Sequence, residues 1–265
     1  MANFKTADGC SIDFTLHAAK KSDAPRLALI HSLALDRSIW DGVVRELAGD
    51  VHVMAYDCRG HGKSDKAVGP YTVEQFAGDL AALFDHVGWA SAAVAGCSMG
   101  GMVAEAFGGM YPARATGLGL IDTAAWYGVE APKTWRERAA KARVDGLRGM
   151  IDFQTSRWFS DRFRAEHPEL VKAAADVFLA NDIEAYAASC ILLGDADLRR
   201  FQPGMKMPVA IVVGEEDYAT PHEMALQMHQ SIAGSTLTIL PKARHLTPIE
   251  CADRIAAELR PLLSR

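Results

Sequence analysis

Paired cysteines are the first thing this sequence lacks. Its five cysteines, Cys10, Cys58, Cys97, Cys190 and Cys251, are odd in number and far apart. They form no C-x-x-C pair and have no histidine cluster beside them, so neither a disulfide framework nor a zinc site is indicated. Basic charge is short as well. A net charge of −5 leaves no footprint for a nucleic acid or an anionic membrane, so the expected partner is a small molecule. No run is long enough to span a bilayer, and the stretch MANFKTADGC has no apolar signal region, so the expected location is cytoplasmic. The lone G-x-G of GLGLID has no third glycine and reads as a plain strand. No internal repeat or low-complexity tract appears. What remains is a chain of 265 residues, 49% hydrophobic and 23% charged, with apolar material for a sizeable core. No cofactor or metal is called for, and oligomeric state is left open.

The apolar residues are grouped in short runs. NFKTA and CSIDFTLHA read as two strands joined at an Asp8-Gly9 turn. RLALIHS, VHVMAYD, AAVAGCS, ATGLGLID, MPVAIVVGEED and STLTILPKA then have the continuous apolar character of strands buried on both faces of a parallel sheet. Helical patterns separate most of them. In TVEQFAGDLAALFDHVGW, Thr72 and Gln75 spell a capping box, and Val73, Phe76, Leu80, Leu83 and Val87 recur on one face. Strand and helix in alternation predict an α/β fold. Residues 124–202 break the rhythm, with helical segments such as TWRERAAKARVDG and PELVKAAADVFLAND but no convincing strand. We read 124–202 as an inserted helical lid, with 1–123 and 203–265 forming the core.

Within that frame, GCSMGG at residues 96–101 has the G-x-S-x-G spelling of a nucleophile elbow, a sharp strand-to-helix turn that exposes a side chain at its apex. Reactive groups of an open parallel sheet gather at the carboxyl ends of its strands. Two late strands end in loops that carry Asp217 and His245, each followed by a Thr-Pro pair with Glu three residues after the Thr: Thr220, Pro221, Glu223 and Thr247, Pro248, Glu250. Both are read as capping boxes with proline at the first helical position. A serine hydroxyl needs a base to take its proton and an acid to orient that base. The candidates are Ser98, His245 and Asp217. Rival acids are Glu216 and Asp122, and the rival base is His222, which falls too close to the acid in the first turn of a helix. The developing oxyanion needs backbone donors, for which Met99 and Leu33 are placed. Arg59 and His61 are assigned to a structural turn, His31 to shaping the oxyanion loop, and Cys97 to the packing behind the elbow.

These pieces, and the stretches DCRGHGKSD, GPYTVEQFAGDL, DTAA, W-R-E-R-A-A-K-A-R, RWF and DADLR, make the chain resemble the α/β-hydrolase superfamily almost end to end, and 3-oxoadipate enol-lactonases in particular. The resemblance implies an eight-stranded, mostly parallel sheet with a helical lid, and cofactor-free hydrolysis of 3-oxoadipate enol-lactone in aromatic catabolism. It also implies Trp135, Arg138 and Trp158 as substrate-binding residues. The chain departs from that pattern at His31, Ala34, Cys97 and Asp122, where the lactonases usually have Asn, Gly, Leu and Asn. Between Lys133 and Arg148 stand six basic and two acidic residues, against a chain total of −5. Arg136, Lys141 and Arg143 are assigned to a solvated face. Arg138 shares an inward face with Trp135, Ala139 and Ala142 and is placed on the substrate carboxylate. Another small ester or lactone, a catalytically silent ligand-binding protein, and perhydrolysis on the same triad are the competing readings.

Overall fold

Runs such as AAVAGC and VAIVVG carry no alternating polar face, so as strands they need cover on both sides. The computed structural model describes residues 2–263, leaving Met1 and residues 264 and 265 of the expected core outside the described residues. Eight strands form one sheet: β1 (Ala2–Lys5), β2 (Ser11–His17), β3 (Arg26–Ile30), β4 (His52–Tyr56), β5 (Ala92–Cys97), β6 (Ala115–Ile121), β7 (Val209–Gly214) and β8 (Thr236–Leu240). Their order is β1-β2-β4-β3-β5-β6-β7-β8. The first hairpin is antiparallel and β2 lies antiparallel to β4, while every pairing from β4 to β8 is parallel. β5 and β7 are buried along their whole length. The chain runs from β3 to β4 on one side and returns to β5 on the other side of β3, so a crevice opens beyond the carboxyl ends of β3 and β5.

Helices α1 (Asp41–Leu47), α2 (Val73–Val87) and α3 (Met99–Met110) alternate with the early strands. The predicted Thr72 cap forms, its hydroxyl accepting from the Gln75 amide at 3.1 Å. The reciprocal half does not: Gln75 Oε1 is buried with no partner. Between β6 and β7 the chain forms α4 (Ala131–Asp145), α5 (Ile151–Trp158), α6 (Asp161–Glu166), α7 (Pro168–Leu179) and α8 (Ile183–Asp195). The one β-type pairing there is an isolated bridge between Trp126 and Asp197, which closes the base of the helical segment. α4 packs closely on α8, where a methyl group on Gly194 would stand 2.8 Å from the Trp135 Cβ. Helices α9 (His222–Ser231), α10 (Thr247–Glu250) and α11 (Ala252–Leu259) complete the chain, with α11 packed on α1. Among the described residues no single helix is long and apolar enough to cross a membrane.

One buried carboxyl group in this frame ties stability to pH. Glu105 on α3 has no exposed surface; Oε1 accepts from Gln202 Nε2 at 2.9 Å, and Oε2 has no partner. Burial pushes its carboxyl up to about 8, against the opposing pull of the Gln202 hydrogen bond. The folded protein therefore holds a proton that the unfolded chain releases above its ordinary carboxyl pKa. Wild-type stability should fall as the pH rises from about 5 to about 8, by up to about 1.4 kcal/mol per pH unit, and level off above that. Glu105→Gln should match the wild type at pH 5 and gain on it steadily up to pH 8, read from urea unfolding across that range. Parallel stability curves would show that Glu105 does not titrate in this way.

Candidate active site

Ser98 stands at the turn from β5 into α3 with φ 56° and ψ −116°, a backbone that a non-glycine residue rarely adopts. The turn is tight because its neighbours are bare. A Cβ on Gly96 would lie 1.9 Å from the Gly100 carbonyl oxygen, and one on Gly100 would lie 2.3 Å from the Ile30 carbonyl oxygen. His245 Nε2 meets Ser98 Oγ at 2.9 Å, and His245 Nδ1 meets Asp217 Oδ2 at 2.8 Å. The carboxylate requires the proton on Nδ1, which leaves the Nε2 lone pair for the serine hydroxyl. Asp217 is itself fixed. Its Oδ1 accepts from the amides of Ala219 and Thr220 at 2.7 and 2.9 Å, and its Oδ2 from the Thr220 hydroxyl at 2.8 Å. Burial raises its pKa, but the charge of His245 and the hydrogen bonds from His245 and Thr220 outweigh this and hold it below the usual carboxylate range.

The rivals lie elsewhere. Glu216 faces Arg244 at 3.4 Å, and His222 is 47% exposed beside Glu223. Asp122 is fully buried and engaged by donors other than His245. It accepts from the Gly214 amide at 3.1 Å, the Thr247 amide at 3.0 Å and the Thr247 hydroxyl at 2.6 Å. Burial and then the charge of Asp217 push its pKa up. Neither Thr-Pro motif makes the capping box expected of it. Thr220 donates to Asp217 and Thr247 to Asp122, because a buried carboxylate is a stronger acceptor to satisfy than a helix start is to cap. Glu250 instead accepts from Ser160 Oγ and the Arg244 amide.

Around the triad the smaller parts have clear tasks. Cys97 is a buried thiol whose Sγ approaches the His245 carbonyl at 3.7 Å, with its pKa raised by burial and by the charges of Asp122 and Asp217. His31 Nε2 accepts from the Cys58 amide at 2.9 Å, so its Nδ1 carries the proton and donates to Ser32 O at 2.7 Å. His61 packs on it with ring centres 5.0 Å apart. Burial pushes the His61 pKa down to about 3, and both rings stay neutral, joining the loop after β3 to the turn after β4. Arg59 grips Asp79 at 2.6 and 2.7 Å and Asp8 at 2.9 Å. Leu33 lines the cavity above Ser98, and Met99 opens α3, so its amide is one of the first-turn donors that the helix itself cannot satisfy.

That cavity holds about 320 Å³, and its walls include Ser98, His245, Leu33, Trp135, Arg138 and Trp158. Arg138 packs its guanidinium over the Trp135 ring at 5.1 Å and donates to Tyr186 Oη at 2.8 Å and Gln154 Oε1 at 2.9 Å. Trp158 is buried and meets Phe178 edge to face at 5.5 Å. Arg136, Lys141 and Arg143 pair with Asp195, Asp145 and Glu184 on the exposed side of α4. Among the wall residues that the sequence reading misses are Tyr127, Gln154 and Arg157. Tyr127, just after the Trp126 bridge, lines the cavity close enough to the Ser98 hydroxyl to be influenced by it; burial and the charge of Asp217 raise its pKa, so the phenol keeps its proton. Gln154 and Arg157 lie four and one residues before Trp158, so the i, i+4 spacing from that tryptophan was the available signal for Gln154. Among the described residues no three His, Cys, Asp or Glu side chains are grouped to hold a metal ion.

Residues 25–252 match the model of a family described as serine aminopeptidase, S33. The chain is 32% identical over 230 residues to 3-oxoadipate enol-lactonase 2 of Acinetobacter baylyi, covering 87% of this chain and 85% of the relative. It is 28% identical over 232 residues to 3-oxoadipate enol-lactonase 1 of the same organism, covering 88% and 86%. Its structure is similar to that of an enol-lactonase from Burkholderia xenovorans, with a TM-score of 0.94, 32% identity and full coverage of both chains. A thermophilic esterase from Thermogutta terrifontis with malate bound matches at a TM-score of 0.92 with 28% identity, again over the full length of both.

The two rival carboxylates, Asp122 and Glu216, separate by stability. Asp122→Ala strands two amide donors and one hydroxyl in a dry interior and should cost about 3 kcal/mol or more in urea unfolding. Glu216→Ala, on a partly exposed side chain, should cost less than about 1 kcal/mol. Equal costs would mean that water fills the Asp122 site.

Proposed function

This chain belongs to the α/β-hydrolase family and is a hydrolase of esters or lactones, and from that premise we propose that it opens 3-oxoadipate enol-lactone to 3-oxoadipate through a Ser98 acyl-enzyme. The observation that carries the reading is the cavity in which Ser98 and His245 face Arg138, a guanidinium held by two neutral acceptors. His245 Nε2 takes the proton as Ser98 Oγ attacks the lactone carbonyl, and Asp217 stabilises the imidazolium. The amides of Leu33 and Met99 receive the oxyanion. The ring C–O bond then breaks. The enolate stays tethered in the acyl-enzyme and becomes a ketone by taking, at carbon, the proton that His245 holds, which returns the imidazole to its neutral form. His245 next activates water, which frees the acid and returns the proton to Ser98. Helices α4 to α8 act as the lid over this chemistry, with Trp135 and Trp158 as walls and Arg138 on the substrate carboxylate. The relatives named for this lactone, and the malate in the Thermogutta esterase, support a small acid-bearing ligand.

Turnover of the purified lactone with identification of the product tests the substrate. A fluorophosphonate probe separates an enzyme from a silent binder: it should label the wild type stoichiometrically and Ser98→Ala not at all. His245→Ala should lower turnover by several orders of magnitude and His222→Ala hardly at all, on the scale expected for loss of a general base. Equal losses would undo the assignment.

Arg138→Ala should lower kcat/KM for the enol-lactone by roughly 10- to 100-fold, the scale of one charge-assisted contact, with little change for p-nitrophenyl acetate. Parallel losses on both substrates would make Arg138 a support of the lid instead.

A further inference from the structure

Arg138 is not the only cation in the cavity. Arg157 lines it too, one turn along α5 from Gln154 and beside Trp158, so α5 presents a glutamine, a guanidinium and an indole to the same space. Its guanidinium lies 5.2 Å from the Phe153 ring centre and donates through Nη2 to the Tyr218 carbonyl. Tyr218 follows Asp217, so this contact places Arg157 at the triad end of the cavity, whereas Arg138 is anchored on lid residues.

Arg138 and Arg157 are the arginines that line the cavity. Arg37, Arg59, Arg136, Arg143, Arg199 and Arg200, away from it, pair with carboxylates. Among the described residues Arg138 and Arg157 have no carboxylate partner, and their acceptors are a phenol, an amide oxygen and a peptide carbonyl. Burial and then the nearby charge of Arg138 lower the Arg157 pKa, with Asp217 pulling the other way, which places Arg157 electrostatically between the two. The one acid among the cavity walls, Glu130, is exposed. Two positive charges in so small a space, Arg138 deeply enclosed and Arg157 half-buried, suit a ligand with two negative ones.

Hydrolysis supplies the second. Water adds to the acyl carbon, the bond to Ser98 Oγ breaks, Ser98 recovers its proton through His245, and a neutral ester becomes a carboxylate at the triad end. We propose that Arg157 is a specificity-determining residue that takes this second carboxylate, so that the cavity holds a dicarboxylic acid more tightly than a monocarboxylic acid of the same length. The proposal rests on the reading of Arg138 given above.

Competitive inhibition by adipate and by hexanoate, both six-carbon acids, tests it on the intact enzyme, with lactone or p-nitrophenyl acetate turnover as the reporter. Wild type should bind adipate at least about tenfold more tightly than hexanoate. Arg157→Gln should remove most of that ratio by weakening adipate alone, and Arg157→Lys, which keeps the charge but loses the fork, should restore part of it. Arg138→Gln should weaken both acids. A wild-type enzyme that does not distinguish the acids, or an Arg157→Gln variant that weakens both equally or neither, would overturn the proposal and leave Arg157 as a bolt between lid and acid loop. Indifference of both acids to Arg138→Gln would instead sink the carboxylate reading of Arg138.

Discussion

The backbone of Ser98 is the constraint on which the rest of the site depends. At φ 56° the residue is strained, and the strain holds because β5, β3 and α3 close around it, with Gly96 and Gly100 allowing carbonyls to approach where any side chain would collide. The same close approach gives α3 its direction. The helix starts one residue after the nucleophile, so its first amides point to the place where an oxyanion would form. A reactive hydroxyl and its candidate electrophilic partner are thus set by one turn, and everything else must be brought to it from other strands.

What brings them is a buried polar network rather than apolar packing. Asp122, from the end of β6, binds the end of β7 through Gly214 and the base loop through Thr247, while Asp217 binds the acid loop through Ala219 and Thr220. Each oxygen in the network has a donor, which is what makes buried carboxylates tolerable. The helical segment joins the same network. Arg244, adjacent to His245, donates to the carbonyls of Ser156 and Phe159 at 2.8 and 3.0 Å and pairs with Asp161, while the Leu246 amide donates to the Trp158 carbonyl at 3.0 Å. Base loop and cavity wall therefore hold each other in place, and the cavity shape is tied to the geometry of the triad residues.

This division explains what could be read in advance. The strands are legible because burial on both faces leaves a composition that no surface segment shares, and the serine, acid and base because chain order and strand ends suffice to locate them. The Thr-Pro-x-Glu motifs mislead because a capping box is a local inference, and the threonine hydroxyls answer to carboxylates that the fold delivers, 125 residues away in the case of Asp122 and Thr247. Gln75 fails its half of a box for a related reason: its side-chain oxygen is buried away from the amide it was expected to meet. Tyr127 and Arg157 come to the cavity through the packing of the helical segment, which sequence periodicity does not describe, whereas Gln154 stands at helical spacing from Trp158. Arg136, Lys141 and Arg143 lie on the exposed side of α4 as read, but only Lys141 finds its acid locally, while Arg136 and Arg143 reach Asp195 and Glu184 on α8.

The arginines show how one side chain acquires two kinds of task. Arg59 is almost fully buried, yet its charge is matched by Asp79 and Asp8, and the product is a structural clamp that asks nothing of a ligand. Arg138 lines the cavity and has a different set of acceptors. Tyr186 and Gln154 fix the plane and direction of its guanidinium without cancelling its charge, and the Trp135 ring supports one face. Orientation without neutralisation leaves a cation that is desolvated, rigid and incompletely satisfied, and a guanidinium cannot escape this by losing its proton. The stabilisation that Arg59 draws from Asp79 and Asp8 has no counterpart from a carboxylate of the chain at Arg138 and Arg157 among the described residues.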